Sequence, residues 1–552
     1  MKTKNLDFIL NINIILLISM NIKEIKCIRC GADKLKIKPG ILNITKINSK
    51  RKLDIEYTPI KIKVDFSSFE KPNPMSEQNY KFIKDLIEDT VKEFYKFLKV
   101  QHNNIDLKGQ ESIIKSNCML NKIDSNYERF LIDNDVLIFP IFNSELGNNI
   151  LAAAGICLTE DNYKPIMGIL YIAPNIYVNK TNTNLFMKYL FLHEISHILI
   201  FNPEVFGKLG MITKKTIDGI EVTYINSPNV LDKAKQHFNC NSLIGIPLED
   251  QGGIGSSGSH WEARYMLGDY MISTFYMDTI LSDISLALFE DSGFYKVEYY
   301  SGGLFKFGKN KGCDFLNKKC LLDEKTLFNE EFCDSQYQPM CTSSRTAKGQ
   351  CLIYDYKSME IPSKYQYFSN PNHGGFQPAN FCPVTAVTTL LKEKDYYPTS
   401  CNSGTIFSNI NGEEIGENSF CFISSLLPKS SNRNINLMPI CYKVECNKNI
   451  NSIIVHIGSL TVNCPTFGGI IKNPYGFKGE IVCPKYYDIC NFDSDNICNE
   501  MFNCLNKRVK ADENSYSSEI NRIIVHKVNS SFNNKYNFYA FFIIIIFLYI
   551  NI

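Results

Sequence analysis

The chain has 552 residues, 44% of them hydrophobic and 21% charged, with a formal net charge of +2. That composition suits a globular protein of roughly two to four domains with a sizeable buried core. A near-neutral balance, with no Lys/Arg stripe interleaved with aromatics, excludes a nucleic-acid surface as its main business.

In chain order, Met1–Lys4 is a basic start and Phe8–Met20 is mostly apolar, the layout of a signal peptide over residues 1–22, although Asn11 and Asn13 interrupt it. A polar stretch with Cys27 and Cys30 follows, and residues 23–58 form a candidate propeptide. Ile60–Val64 alternates and predicts a strand. Ser76 is the expected N-cap of an amphipathic helix from Glu77 to Lys99, with Phe82, Leu86, Ile87, Val91, Phe94 and Leu98 on one face. Asp135–Phe139 and Ile166–Tyr171 read as buried strands. A helix is expected from near Asn184 to Asn202, stopping before Pro203. Asn226-Ser-Pro228 opens another, running to about Phe238. A Gly/Ser loop covers Gly252–Ser259. Beyond about residue 300 the pattern breaks into short pieces punctuated by Cys, Gly, Pro and Asn, and a domain change is expected around 300–370. No fixed-period repeat occurs.

Of the 20 Cys, five precede residue 300 and fifteen fall between Cys313 and Cys504. An even, dense set behind a secretory start reads as a disulfide framework made in an oxidising compartment. The irregular spacings do not suit zinc-finger pairs. Connectivity does not follow from the count. At the other end, Phe538–Ile552 is almost wholly apolar, yet short for a membrane span, which needs about 20 residues. Asn529, Ser530 and Ser531 precede it, then a polar spacer, the order of a glycolipid (GPI) anchor signal. A short true span is the competing reading. Asn43-Ile-Thr45, Asn179-Lys-Thr181 and Asn529-Ser-Ser531 are glycosylation acceptors by pattern.

The most specific local signal is His193-Glu194-Ile195-Ser196-His197 on the helix expected from Asn184. Two imidazoles at i and i+4 share one face and can hold one zinc ion. Glu194 would sit beside the zinc-bound water, take its proton and pass it to a leaving amine. The bland alternative is a helix with two core histidines and a solvated glutamate. Two His leave zinc one ligand short. The candidates are His237, His260, His373, His456 or a downstream Glu. The short metzincin pattern is absent, because Ile200 stands where its Gly would be and Pro203 where its third His would be. His260 is best placed, after the flexible run Gly255–Ser259, with Met271 eleven residues on in the position of a Met-turn.

Leu248-Glu-Asp-Gln-Gly-Gly253, Gly258-Ser-His-Trp-Glu262 and Met271 together resemble leishmanolysin-like metalloproteases. So do Leu286–Tyr295, Phe307–Phe315, Cys341–Arg345 and Cys441–Cys446, and the resemblance covers about residues 58 to 505. It implies His260 as third zinc ligand and Met271 as the Met-turn. It also implies an endopeptidase of broad specificity, a lipid anchor, and a zymogen in which a propeptide Cys, here Cys27 or Cys30, caps the zinc. One departure is Ile200, where the family usually keeps a Gly that turns out of the helix with positive φ. A β-branched residue disfavours that turn by about 1–2 kcal/mol, so the helix is expected to continue a residue or two, to Asn202.

The expected architecture is α+β. A zincin-like catalytic domain with a twisted sheet and an active-site helix spans residues 59–300, including an insertion at 203–259. A disulfide-rich, irregular or β C-terminal domain spans 301–510, and a spacer and anchor signal 511–552. The expected function is zinc-dependent endopeptidase at the cell surface, with His193, His197 and His260 on the metal, Glu194 as general base, and protein or peptide substrates. The membrane would be a partner through the C-terminal anchor or a short span. The alternative is a non-catalytic adhesion or coat glycoprotein on the same scaffold.

Overall fold

A computed structural model describes residues 39–42 and 56–490, apart from 103, 147–149, 175, 177–182, 218, 251–255, 275–278, 300–304, 358, 387–399, 402–406 and 409–411. The expected signal peptide, Cys27 and Cys30, the three glycosylation acceptors and the C-terminal tail lie outside the described residues. The chain divides into two compact units. One comprises residues up to Tyr299 with Phe307–Gln338 and Gln350–Val387; the other comprises Tyr300–Lys306, Pro339–Gly349 and Thr388 onward. The class is α+β.

In the first unit a five-stranded sheet is built from β1 (Gly40–Ile41), β2 (Ile62–Val64), β3 (Val136–Phe142), β4 (Ala152–Thr159) and β5 (Pro165–Ile172), in the order β1-β4-β5-β3-β2. β2, β3 and β5 are parallel, β4 runs antiparallel to β5, and β1 joins the outer edge of β4. The central strands are continuous apolar runs. Val136–Phe139 and all of β5 are buried, as a sheet covered on both faces requires.

Helix α1 (Glu77–Phe94) starts as expected, with Ser76 Oγ accepting from the Asn79 N–H at 3.2 Å. It stops five residues earlier than its periodicity suggests. Leu98–Val100 instead pairs with Thr58–Pro59 and with Tyr295–Val297, so strand pairing to distant segments overrides the helical pattern. Ile83 joins the buried face, Phe82 is only half-buried, and Leu98 belongs to the strand.

Helix α2 (Thr183–Leu199) carries the His-Glu motif against the sheet. Phe191, Leu192, Ile195, Ile198 and Leu199 are all buried. Its approach requires Gly168 on β5, because a Cβ there would lie 2.3 Å from Ile198 Cγ2. The expected extension to Asn202 does not occur. The N–H groups of Ile200 and Phe201 both donate to Ser196 O at 2.9 Å, which closes the helix end. Asn202 is extended (φ −137°, ψ 124°) and caps the next helix, α3 (Pro203–Lys208), accepting from Glu204 N and Val205 N. Ile200 is not among the positive-φ residues and is fully buried. The chain leaves the helix through the extended Asn202, so no left-handed residue is needed at position 200. The hairpin β6 (Ile212–Ile217) and β7 (Ile220–Ile225) follows, then α4 (Pro228–Phe238), with Pro228 in its first turn and a left-handed Asn239 ending it. α5 (Asp283–Asp291) is capped by Ser282.

The second unit contains a six-stranded antiparallel sheet of β8 (Ser419–Ser424), β9 (Met438–Asn447), β10 (Ser452–Ile457), β11 (Leu460–Cys464), β12 (Gly469–Lys472) and β13 (Glu480–Cys483), in the order β11-β10-β9-β8-β13-β12. Its core includes Phe420, Phe422, Ile440, Tyr442, Val444, Ile453 and Val455. Cys464–Cys483 ties the edge strand β11 to β13 beside the opposite edge, so the sheet curls on itself.

Eight disulfides join the described cysteines. Cys118–Cys157, Cys240–Cys313, Cys320–Cys382 and Cys333–Cys351 lie in the first unit. Cys341–Cys421, Cys401–Cys441, Cys446–Cys490 and Cys464–Cys483 lie in the second. No described helix is long and apolar enough to cross a membrane.

Candidate metal centre

The last two turns of α2 place His193 and His197 on one face, and the segment before α5 brings His260 to them. Their Nε2 atoms form a nearly equilateral triangle: 3.1 Å between His193 and His197, and 3.2 Å from His260 to each. These short approaches are not hydrogen bonds. Each Nδ1 faces a backbone carbonyl, which can only accept: Tyr270 O at 2.6 Å from His193, Phe201 O at 2.7 Å from His197, and Ser256 O at 2.9 Å from His260. Every Nδ1 therefore carries the proton and every Nε2 presents a lone pair to the common point. All three rings are buried. Burial pushes His193 down to about 4 and His260 to about 3; burial, then the neighbouring His260 and His193, holds His197 well below its ordinary value. Neutral imidazole is the form that binds metal.

Three buried lone pairs aimed at one point repel unless something electrophilic lies between them. A tetrahedral ion with metal–nitrogen bonds of about 2.0–2.1 Å spaces its donors about 3.3–3.4 Å apart, close to the spacing seen. The three histidines could hold a metal ion, and three ligands from one face leave the opposite side of such an ion for substrate or water.

Backbone pairing fixes His260. Glu249 N donates to His260 O at 2.9 Å, Glu262 N to Pro247 O at 3.0 Å, and Trp261 N to Met271 O at 2.9 Å. His260 thus lies in a bend directly before Trp261, which is bridged to Leu248 on one side and to Ile272 on the other. Met271 is fully buried; its N–H donates to Asp269 Oδ1 at 2.8 Å. The preceding Tyr270 serves both halves of the site, its carbonyl orienting His193 and its hydroxyl donating to Ser196 Oγ at 2.9 Å. Behind it runs a buried relay. Trp261 Nε1–H donates to Ser285 Oγ at 2.8 Å, and Ser285 Oγ–H to Asp269 Oδ2 at 2.8 Å. Burial raises Asp269 to about 6, against the bonds it accepts from Ser282, Met271 and Ser285.

Glu194, next to His193, is completely buried. The other histidines weighed from the sequence are engaged elsewhere. His237 Nε2 bonds Phe307 O at 2.8 Å, His373 pairs in a two-stranded ribbon with Asp355, and His456 lies on β10 with Glu445 at 3.7 Å. Sequence reasoning missed the orienting groups. Tyr270 O, Phe201 O and Ser256 O are main-chain atoms, which no residue type announces; Asp269, two residues before Met271, was the one available side-chain signal. It also missed the acidic group of the buried Glu249 and Glu262 with the partly exposed Asp250. Burial, then Glu249 and Asp250, pushes Glu262 well above the usual carboxylate range.

The family model described as leishmanolysin matches residues 75–497, a span that includes the helix, His260 and the second unit's sheet. The chain belongs to the leishmanolysin family. It is 27% identical over 378 residues to a leishmanolysin homolog of Crithidia fasciculata, covering 65% of this chain and 56% of that protein. It is 27% identical over 362 residues to leishmanolysin of Leishmania tropica, covering 62% and 52%. A leishmanolysin-like peptidase of Drosophila melanogaster is 29% identical over 302 residues, covering 48% and 43%. The chain thus spans about half the length of these relatives.

Proposed function

We propose that the protein is a zinc endopeptidase, with His193, His197 and His260 holding the ion and Glu194 acting as general base. The convergence of three Nε2 lone pairs at 3.1–3.2 Å, each set by a carbonyl on Nδ1, is the observation that carries this reading. Membership of a family whose relatives are named leishmanolysin and leishmanolysin-like peptidase supports it. A bound zinc ion supplies Lewis acidity toward a water molecule and a peptide carbonyl. The protein supplies the rest. The Tyr270, Phe201 and Ser256 carbonyls lock the ring orientations and increase ligand basicity. The Glu194 carboxylate takes a proton from the attacking water and delivers it to the departing amine, so the peptide bond is replaced by a carboxyl and an amino terminus with no net proton change at Glu194. Its burial makes the charge effective by excluding competing water.

The apolar tail Phe538–Ile552 supports anchorage at a cell surface, and Cys27 or Cys30 would supply a thiolate cap for the metal before maturation. Metal analysis of the purified protein, with cleavage of an unfolded protein by wild type and Glu194→Ala, tests the assignment. Stoichiometric zinc with Glu194-dependent cleavage is expected. Zinc without Glu194-dependent cleavage would leave the non-catalytic scaffold as the better account.

A further inference from the structure

Three loops meet at one end of the second unit's sheet. The β9–β10 hairpin tip presents Ile450, 63% exposed, and the β11–β12 loop presents Phe467, 87% exposed. Thr466 Oγ1 donates to Ile450 O, and Tyr486 N donates to Thr466 O, which binds both loops to the final turn Tyr486–Ile489. Ile470, at the start of β12, adds a third exposed apolar side chain. Lys448 and Lys485 flank them, both exposed.

Cys490, the last described residue, lies at this same end, disulfide-bonded to Cys446 on the hairpin that carries Ile450. The described chain therefore ends at this end of the sheet, and the sequence that follows carries the apolar run Phe538–Ile552. The opposite end of the sheet also has an exposed aromatic, Tyr475 at 89%. Its loop packs at Leu460, the far tip of β10–β11, and no chain departs there.

We infer that the Ile450–Phe467–Ile470 end of the second unit seats on a lipid bilayer, with Phe467 inserted at the headgroup level and Lys485 against anionic headgroups. An aromatic side chain left almost wholly in water at a loop tip, with exposed Ile450 and Ile470 and a lysine at the same end, suits that interface better than bulk water. The inference rests on reading the C-terminal tail as a membrane anchor.

The test uses the full chain on phosphatidylcholine–phosphatidylserine vesicles, with or without brominated acyl chains. The single native tryptophan, Trp261, is fully buried and gives a constant background. Phe467→Trp and Tyr475→Trp each add one exposed reporter in the second unit, which holds none of the three histidines, and unchanged secretion and peptide cleavage check their folding. On vesicles, the emission added by Phe467→Trp is expected to shift to the blue and to lose the greater part of its intensity with brominated lipid, while that of Tyr475→Trp is unchanged. Vesicle association without quenching at 467, or with quenching at 475 instead, overturns the inference and leaves the anchor reading standing. No vesicle association by the wild type overturns the anchor reading and this inference with it.

Discussion

The two halves of the candidate metal centre are built by different means. His193 and His197 sit on one buried helix, and their relative position is set by local geometry: 3.6 residues per turn puts i and i+4 on one face wherever the helix forms. His260 comes from 63 residues beyond His197 and owes its position to strand-like pairing with 247–249 and 271–272. The segment 270–271 joins the halves, since Tyr270 O fixes the ring of His193 while Met271 O holds the chain at Trp261. One half is robust because it is local. The other is specific because several distant segments must agree.

The comparison can be broken at its weaker half first. His260→Ala is expected to lower metal affinity by more than the roughly 100-fold that loss of an orienting group costs, with hydrolysis abolished, whereas His237→Ala keeps both. Metal titration by a chromophoric chelator decides, and equal retention by the two variants would remove His260 from the site. On the helical half, Glu194→Ala should reduce peptide cleavage by at least about 10²–10⁴-fold with zinc content unchanged, read from turnover and metal analysis of the same sample.

Ile200→Gly asks whether the helix end needs the conformational freedom the family usually provides. Ile200 is fully buried and its turn is closed without positive φ. The substitution should therefore cost about 2–4 kcal/mol in unfolding free energy and leave cleavage no faster; a more stable variant would show that the native turn is strained. Ser285→Ala interrupts the relay from Trp261 to Asp269 behind Met271. Two buried polar partners are stranded, at about 1–3 kcal/mol, visible in denaturant midpoints.

The smallest effect is a pH dependence. Asp269 titrates near 6 in the folded protein, above its ordinary 3.8. Its raised value means the protonated form suits the folded state. The contribution is fully present below about 3.8 and is lost as pH rises through about 6. Stability from this group should fall across that window by no more than about 3 kcal/mol, and Asp269→Asn should flatten that part of the curve. An unchanged slope in the variant would assign the dependence elsewhere.

Much of this was legible beforehand because it depends on neighbours in the chain. The Ser76 cap, the apolar runs of β3 and β5, the helix opened by Pro228 and the His-Glu motif all follow from spacing within a few residues. The errors fall where distant segments compete. Helix α1 yields Leu98–Val100 to strand pairing with Thr58–Pro59 and Tyr295–Val297. Helix α2 yields Asn202 to the capping of α3.

The sequence by itself determined that two imidazoles and a carboxylate share a helix, that buried apolar strands precede it, and that an oxidised framework holds the C-terminal part. Only the tertiary structure decided how His260, the far histidine favoured by the sequence, reaches the helix, which cysteines pair, and which carbonyls fix each ring. The physical reason is that main-chain donors and acceptors are the same at every residue. A residue type can announce a ligand, but the hydrogen bonds that aim it depend on backbone segments that the fold brings together.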